Sequence, residues 1–158
     1  MKQFLKSLKP HPSHFIFGGG ILLICPLVLA LVKLTLYKNF DVDIECKETG
    51  KFNTNLTNLG VIKNSHFSGN LHYDTPVPYD SGSFMANLCQ DMTKSDLVHL
   101  LWSLAHGKFS KIENTRSWPT TSLTISAEKP FVVEYDGEVI TTRIARFSIL
   151  PKYIKVCQ

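Results

Sequence analysis

The chain has no Cys-x-x-Cys pair, no Gly-x-x-x-x-Gly-Lys phosphate loop, no internal repeat and no low-complexity tract. Its four cysteines, Cys25, Cys46, Cys89 and Cys157, stand far apart. That spacing excludes a structural zinc site and predicts free thiols acting as small hydrophobes in a reducing compartment. Charge is also sparse: 17 Lys and Arg against 13 Asp and Glu leave a formal +4. The cations are scattered, so no basic stripe with interleaved aromatics is available to grip nucleic acid. A mild basic excess is compatible with an anionic membrane surface. The histidines lack chelating spacing; His99 and His106 are seven residues apart. Nothing suggests a Ser/His/Asp or Cys/His nucleophile.

What is present begins with a hydrophobic run. Residues 1–14 read as a basic, flexible lead, and the 18 residues Phe15–Val32 carry no charge. Gly18-Gly19-Gly20 disfavours helix, so the helix is predicted at about 21–37, with Pro26 near its start. This segment, 15–38, is long enough to approach a membrane span, and it reads as either a membrane anchor or a helix packed between domains. A signal peptide is disfavoured because no small-residue cleavage pattern follows.

From Phe40 the period changes to two. Phe40, Val42 and Ile44 alternate with Asp41, Asp43 and Glu45, the pattern of a half-buried strand. Further strands are predicted at Asn58–Lys63, His66–Tyr73, Ser83–Gln90 and Ser122–Ser126. Asp74–Gly82, with Pro76 and Pro78, reads as a loop, and Lys108–Pro119 as a polar connection. Thr93-Lys94-Ser95-Asp96 resembles a capping box. Leu97, Leu100, Leu101, Leu104 and Ala105 follow as one apolar stripe, with Trp102 packing at its edge and Gly107 ending the helix. The expected fold is mainly β (α+β), with one helix at about 93–106.

Phe131–Glu134 leads into Tyr135-Asp136-Gly137-Glu138, where Asp-Gly is a strong hairpin signal. Two carboxylates are thereby held at a strand end, where acids can meet a metal ion or a phosphate. Taken alone, the motif reads first as a plain hairpin turn with solvated acids.

Four segments in order extend the argument. They are Leu59-Gly60-Val61-Ile62-Lys63-Asn64 continuing through Ser68-Gly69-Asn70-Leu71; Pro78-Tyr79-Asp80-Ser81-Gly82-Ser83-Phe84; the Thr93–His106 helix closed by Gly107; and Tyr135-Asp136-Gly137-Glu138 followed by Ile149-Leu150-Pro151. Together they resemble the C-terminal domain of the diacylglycerol kinase, sphingosine kinase and YegS-type lipid kinase family. The resemblance implies a β-sandwich of the NAD kinase/diacylglycerol kinase C-terminal type over 39–158.

It also implies a site in which Asp136 acts as general base or hydroxyl positioner and Glu138 acts with Mg²⁺. Gly137 would let the backbone approach the cofactor closely. Asp80 would belong to a second Mg²⁺ site, an incomplete one, because Ser81 and Met85 stand where several members carry Asp. The family's Gly-Gly-Asp-Gly-Thr nucleotide motif is missing: Gly18-Gly19-Gly20 runs into Ile21.

The expectation is therefore a lipid-side domain, truncated or split, that is inactive alone and uses ATP and Mg²⁺ only in an intact two-domain enzyme. Its expected partners are a lipid substrate or membrane surface and a separate nucleotide-binding domain, with no nucleic acid. Its expected location is cytoplasmic and membrane-associated. The alternative is a membrane-tethered, non-catalytic lipid- or protein-binding module.

Overall fold

The computed structural model describes residues 36–68 and 70–150. The basic lead and all but the last residues of the expected 21–37 helix lie outside the described residues. Among the described residues, no helix is long and apolar enough to cross a membrane. The compact unit that begins at Lys38 carries every element named below.

The strands are β1 (Phe40–Cys46), β2 (Gly50–Ile62), β3 (His66–Ser68), β4 (Leu71–His72), β5 (Phe84–Gln90), β6 (Thr115–Thr120), β7 (Ser122–Tyr135) and β8 (Glu138–Ser148). One helix, α1 (Lys94–Ala105), and a 3₁₀ turn at Phe109–Lys111 lie between β5 and β6. Six strands form an antiparallel sheet in the order β6-β5-β2-β1-β7-β8, and β3 pairs with β4 in a small ribbon. The fold is mainly β, as expected.

The sheet cannot be flat. Phe52 on β2 meets Trp118 on β6 edge-on, with ring centroids 6.1 Å apart. Yet Trp118 pairs with Ala86, and Ala86 pairs with Val61, nine residues further along β2. In a flat sheet nine residues span roughly 30 Å. β2 must therefore bend, and it does so at the register shift between Leu56 and Asn58, where a bulge sharpens local twist. Its first half pairs with β1 and its second half with β5.

The other end of the roll is closed covalently. Thr121 alone links β6, at one edge, to β7, the fifth strand in the order. The core fills the space enclosed, drawing Val42 and Ile44 from β1, Ala86 and Leu88 from β5, Leu123 and Ile125 from β7, and Ala145 from β8.

The alternate residues of β5 face a second layer. Tyr73 lies against Gly60 of β2, where an added Cβ would fall 2.5 Å from its hydroxyl, and its ring meets Phe109 at 4.7 Å. Thr75 donates to the Oδ1 of the fully buried Asn87. Helix α1 contributes Leu97, Leu100 and Leu104 to the buried set. Its N-terminus is a complete capping box: the Thr93 hydroxyl accepts from the Asp96 N–H, and the Asp96 carboxylate accepts from the Thr93 N–H at 2.8 Å.

Several expectations need correction. His66–Tyr73 is not one strand but the β3–β4 hairpin, because the chain reverses between Ser68 and Leu71, which pair with each other. Thr115–Thr120, expected as part of a connection, is strand β6. Pro119 is tolerated there because an edge strand has one side without ladder partners. Leu101, Trp102 and Ala105 are exposed rather than packed. The buried side of α1 is rotated toward Leu97, Leu100, Ser103 and Leu104.

Candidate functional site

Asp136 and Gly137 form the two-residue loop between β7 and β8. Their φ values of 48° and 81° are both positive, the signature of a type I′ hairpin turn. Glycine adopts that conformation without cost, and aspartate tolerates it better than most residues. Tyr135 pairs directly with Glu138 across the ladder, and the Tyr135 hydroxyl donates to Glu138 Oε2 at 3.0 Å. The turn therefore presents two oxygen-donor side chains, the hard ligand type that Mg²⁺ requires. Asp136 and Glu138 are both exposed.

The hairpin projects beyond its neighbours. β1 pairs with β7 only through Leu123–Ser126, while β7 and β8 continue together to Tyr135 and Glu138. A register break between Ser126 and Phe131, spanning Pro130, marks where the arm leaves the rolled sheet.

A separate groove of about 500 Å³ opens at the other end of β8, lined by Val61, Ile62, Phe84, Phe147 and Ile149 with Lys63 and Arg146. Its walls are mostly apolar and its two charged side chains are both cations. From Glu138 to Arg146 is eight residues of strand, roughly 26 Å. The acid tip and the groove are thus distinct features, and the structure does not bring Asp136 to the groove.

Asp80 is exposed on the 78–83 loop. The Lys63 ammonium donates to Pro78 O at 2.7 Å, Ser83 O at 2.7 Å and Ser81 Oγ at 3.2 Å. An ammonium has three protons, and these three oxygens use them all. A divalent cation bound among the same oxygens would meet that positive charge at close range. No group of three His, Cys, Asp or Glu side chains able to hold a metal occurs among the described residues. The loop does not fit the second Mg²⁺ that the resemblance implied at Asp80.

In the sequence Lys63 marks only the end of a strand. Its role as the clamp of the 78–83 loop was not legible, because the partners are mainly backbone carbonyls 15–20 residues away. Elsewhere, Cys46 and Cys89 are free and buried. Burial pushes the Cys89 thiol up to about 12 and raises the Tyr73 phenol as well, so neither is an activated nucleophile. His66 and His72 pair across the β3–β4 ribbon with rings stacked 5.0 Å apart.

No family model and no curated protein matches the chain. Two solved structures from Bacillus anthracis strain Sterne are similar in fold, one described as a candidate diacylglycerol kinase and one as a diacylglycerol kinase. The first aligns with a TM-score of 0.58 at 16% identity, covering 73% of this chain and 37% of that one. The second aligns with a TM-score of 0.53 at 14% identity, covering 76% of this chain and 43% of that one. The chain thus spans about two fifths of the length of these proteins, and over that span it has the fold of a part of a diacylglycerol kinase.

Proposed function

We propose that the chain is the lipid-side domain of an ATP-dependent lipid kinase of the diacylglycerol kinase class, with the β-sandwich of that family's C-terminal domain. The observation that carries this reading is the shared fold: about three quarters of this chain superposes on a minor part of each kinase. The acid-tipped hairpin supports it, since two carboxylates at the end of a projecting arm are placed to work on a surface other than their own core.

In this reading Asp136 would position or deprotonate the lipid hydroxyl, and Glu138 would hold Mg²⁺, its carboxylate accepting from the Tyr135 hydroxyl. Phosphoryl transfer relies on positioning and on offsetting charge. Bound Mg²⁺ with ATP would supply the charge neutralisation. Gly137 keeps the turn slim enough for close approach.

The test is reconstitution. The chain is assayed with ATP, Mg²⁺ and diacylglycerol, alone and joined to a nucleotide-binding domain of the same class. Turnover is expected only for the pair, and Asp136→Ala should lower kcat by at least a hundredfold with an unchanged circular dichroism spectrum. Full activity of Asp136→Ala would remove the catalytic assignment, and turnover by the chain alone would remove the two-domain one.

A second reading, a membrane-tethered binding module without catalysis, is favoured by one observation. Lys63 occupies the 78–83 loop in place of a metal-ligand set. A reconstituted pair that binds lipid but transfers no phosphate would select it.

A further inference from the structure

The two edges of the rolled sheet are built differently. β6 is short and carries Pro119, and the Arg116 guanidinium lies over the Phe52 and Trp118 rings at 5.6 and 5.4 Å. Proline and charge on an edge strand protect it against an added strand. β8, the other edge, runs for 11 residues without proline, glycine or lysine, and Val139-Ile140-Thr141-Thr142 are β-branched in succession. Among the described residues no strand pairs with its outer side. Tyr135 and Glu138 close a two-residue turn, so they exchange bonds inside the hairpin, and Val139 and Thr141 direct their N–H and C=O outward. Further along, the Ile149 N–H donates inward to Thr121, so by alternation Ile144 faces outward. There the Thr142 hydroxyl accepts from the Ile144 N–H at 3.2 Å and donates to its carbonyl at 2.8 Å. The open backbone groups of the arm are those of Val139 and Thr141.

Charge along this edge is divided. Asp136 and Glu138 stand at the tip, Arg143 and Arg146 toward the root, and all four are exposed. Neither arginine has an ion pair among the described residues. Two such strands laid antiparallel set each acidic tip against the other's arginines, whereas a parallel pair sets like charge against like.

We propose that β8 is a self-association edge: two copies of the chain pair their β8 strands antiparallel about Thr141, joining their sheets across a two-fold axis. In that register Thr141 faces Thr141, Ile140 faces Thr142 and Val139 faces Arg143, while Glu138 falls between Arg143 and Arg146 of the second copy. Added main-chain bonds supply affinity, as in other strand additions. A two-fold contact must be self-complementary, and the divided charge of β8 is. A neutral peptide would meet the backbone groups and leave the four charges without counterparts. The inference stands apart from the lipid-kinase reading, since its readout is mass. Where that reading also holds, pairing and Mg²⁺ compete for the Glu138 carboxylate.

Sedimentation equilibrium of the intact chain, over about a hundredfold range of concentration, should show its mass rise from one chain to two. Glu138→Arg in one variant, and Arg143→Glu with Arg146→Glu in another, should each weaken association about tenfold or more. An equimolar mixture of the two variants should restore it, because every facing charge is then opposite in sign. Thr141→Pro removes an outward N–H and should abolish association with an unchanged circular dichroism spectrum. A chain that stays monomeric throughout overturns the proposal. So does a dimer that the charge variants leave unchanged, or one that the mixture fails to restore, since either places the contact elsewhere, for example at Phe15–Val32.

Discussion

Strand β5 and the outer β7–β8 hairpin are both strand with large apolar side chains, and they end in opposite environments. Phe84–Cys89 is buried at every position, with Phe84, Ala86 and Leu88 in the rolled core and Met85, Asn87 and Cys89 under the second layer. In the hairpin, Val132 and Val139 are 65% and 64% exposed, although β-branched residues are frequent there and absent from β5. What separates the two is the number of neighbours. β5 has a strand on each side and a layer on each face, while the hairpin strands beyond Pro130 have only each other as ladder partners, with Phe131 and Val133 alone packing back on the core. An apolar run states that a segment forms strand; the topology decides whether anything covers it.

The largest expected effect breaks this contrast from the buried side. Leu88→Ala removes a fully buried side chain and should cost about 2–5 kcal/mol in urea unfolding. Val139→Ala should stay within about 0.5 kcal/mol. Equal costs would mean that the hairpin is packed in the isolated unit. Gly60→Ala probes the second layer, where the new methyl would meet the Tyr73 hydroxyl and ring. A loss of about 1–3 kcal/mol is expected, with part of it recovered in Gly60→Ala combined with Tyr73→Phe.

A smaller effect than either buried substitution is expected at the α1 cap. Thr93→Ala should cost about 1 kcal/mol. Asp96 is held below its usual value of 3.8, first by the Thr93 N–H and then by the Thr93 hydroxyl. A depressed carboxylate stabilises the fold above its unfolded value and loses that contribution as pH falls through the folded one. The stability difference between wild type and Asp96→Asn should therefore be present at neutral pH and vanish on acidification below 3.8; a difference that persisted would assign it to something other than the ionised cap.

Much of this was legible. The alternation at Phe40–Glu45, the capping box, and the Asp136-Gly137 turn are local signals, and each stands where its chemistry puts it. The first half of β2 was not legible, because Asn53 and Asn55 look like loop until β1 supplies their ladder partners. β6 was hidden by Pro119, and Trp118 looked like a connector residue although it is a core residue. The side of α1 that faces inward depends on where β4 and the 3₁₀ turn press against it, a tertiary fact that spacing leaves open by about one residue's rotation. For the site, sequence located the two acids at a hairpin tip. It could not place the groove, whose walls come from three separate strands.

The single-residue passage at Thr121 has a mechanical meaning. With β2 folded across one side of the roll and Thr121 stitching the other, the six strands behave like a belt buckled at both ends. At the Thr121 corner the Ile149 N–H donates to the Thr121 carbonyl at 3.2 Å, carrying the β7–β8 ladder one pair past Ser122 and Ser148, while the unladdered gap of the sheet runs between β6 and β8. The groove lined by Phe84, Phe147 and Ile149 opens beside that gap. The wall that Phe147 and Ile149 give the groove is thus anchored, through the β7–β8 ladder, to the same corner that turns β6 into β7.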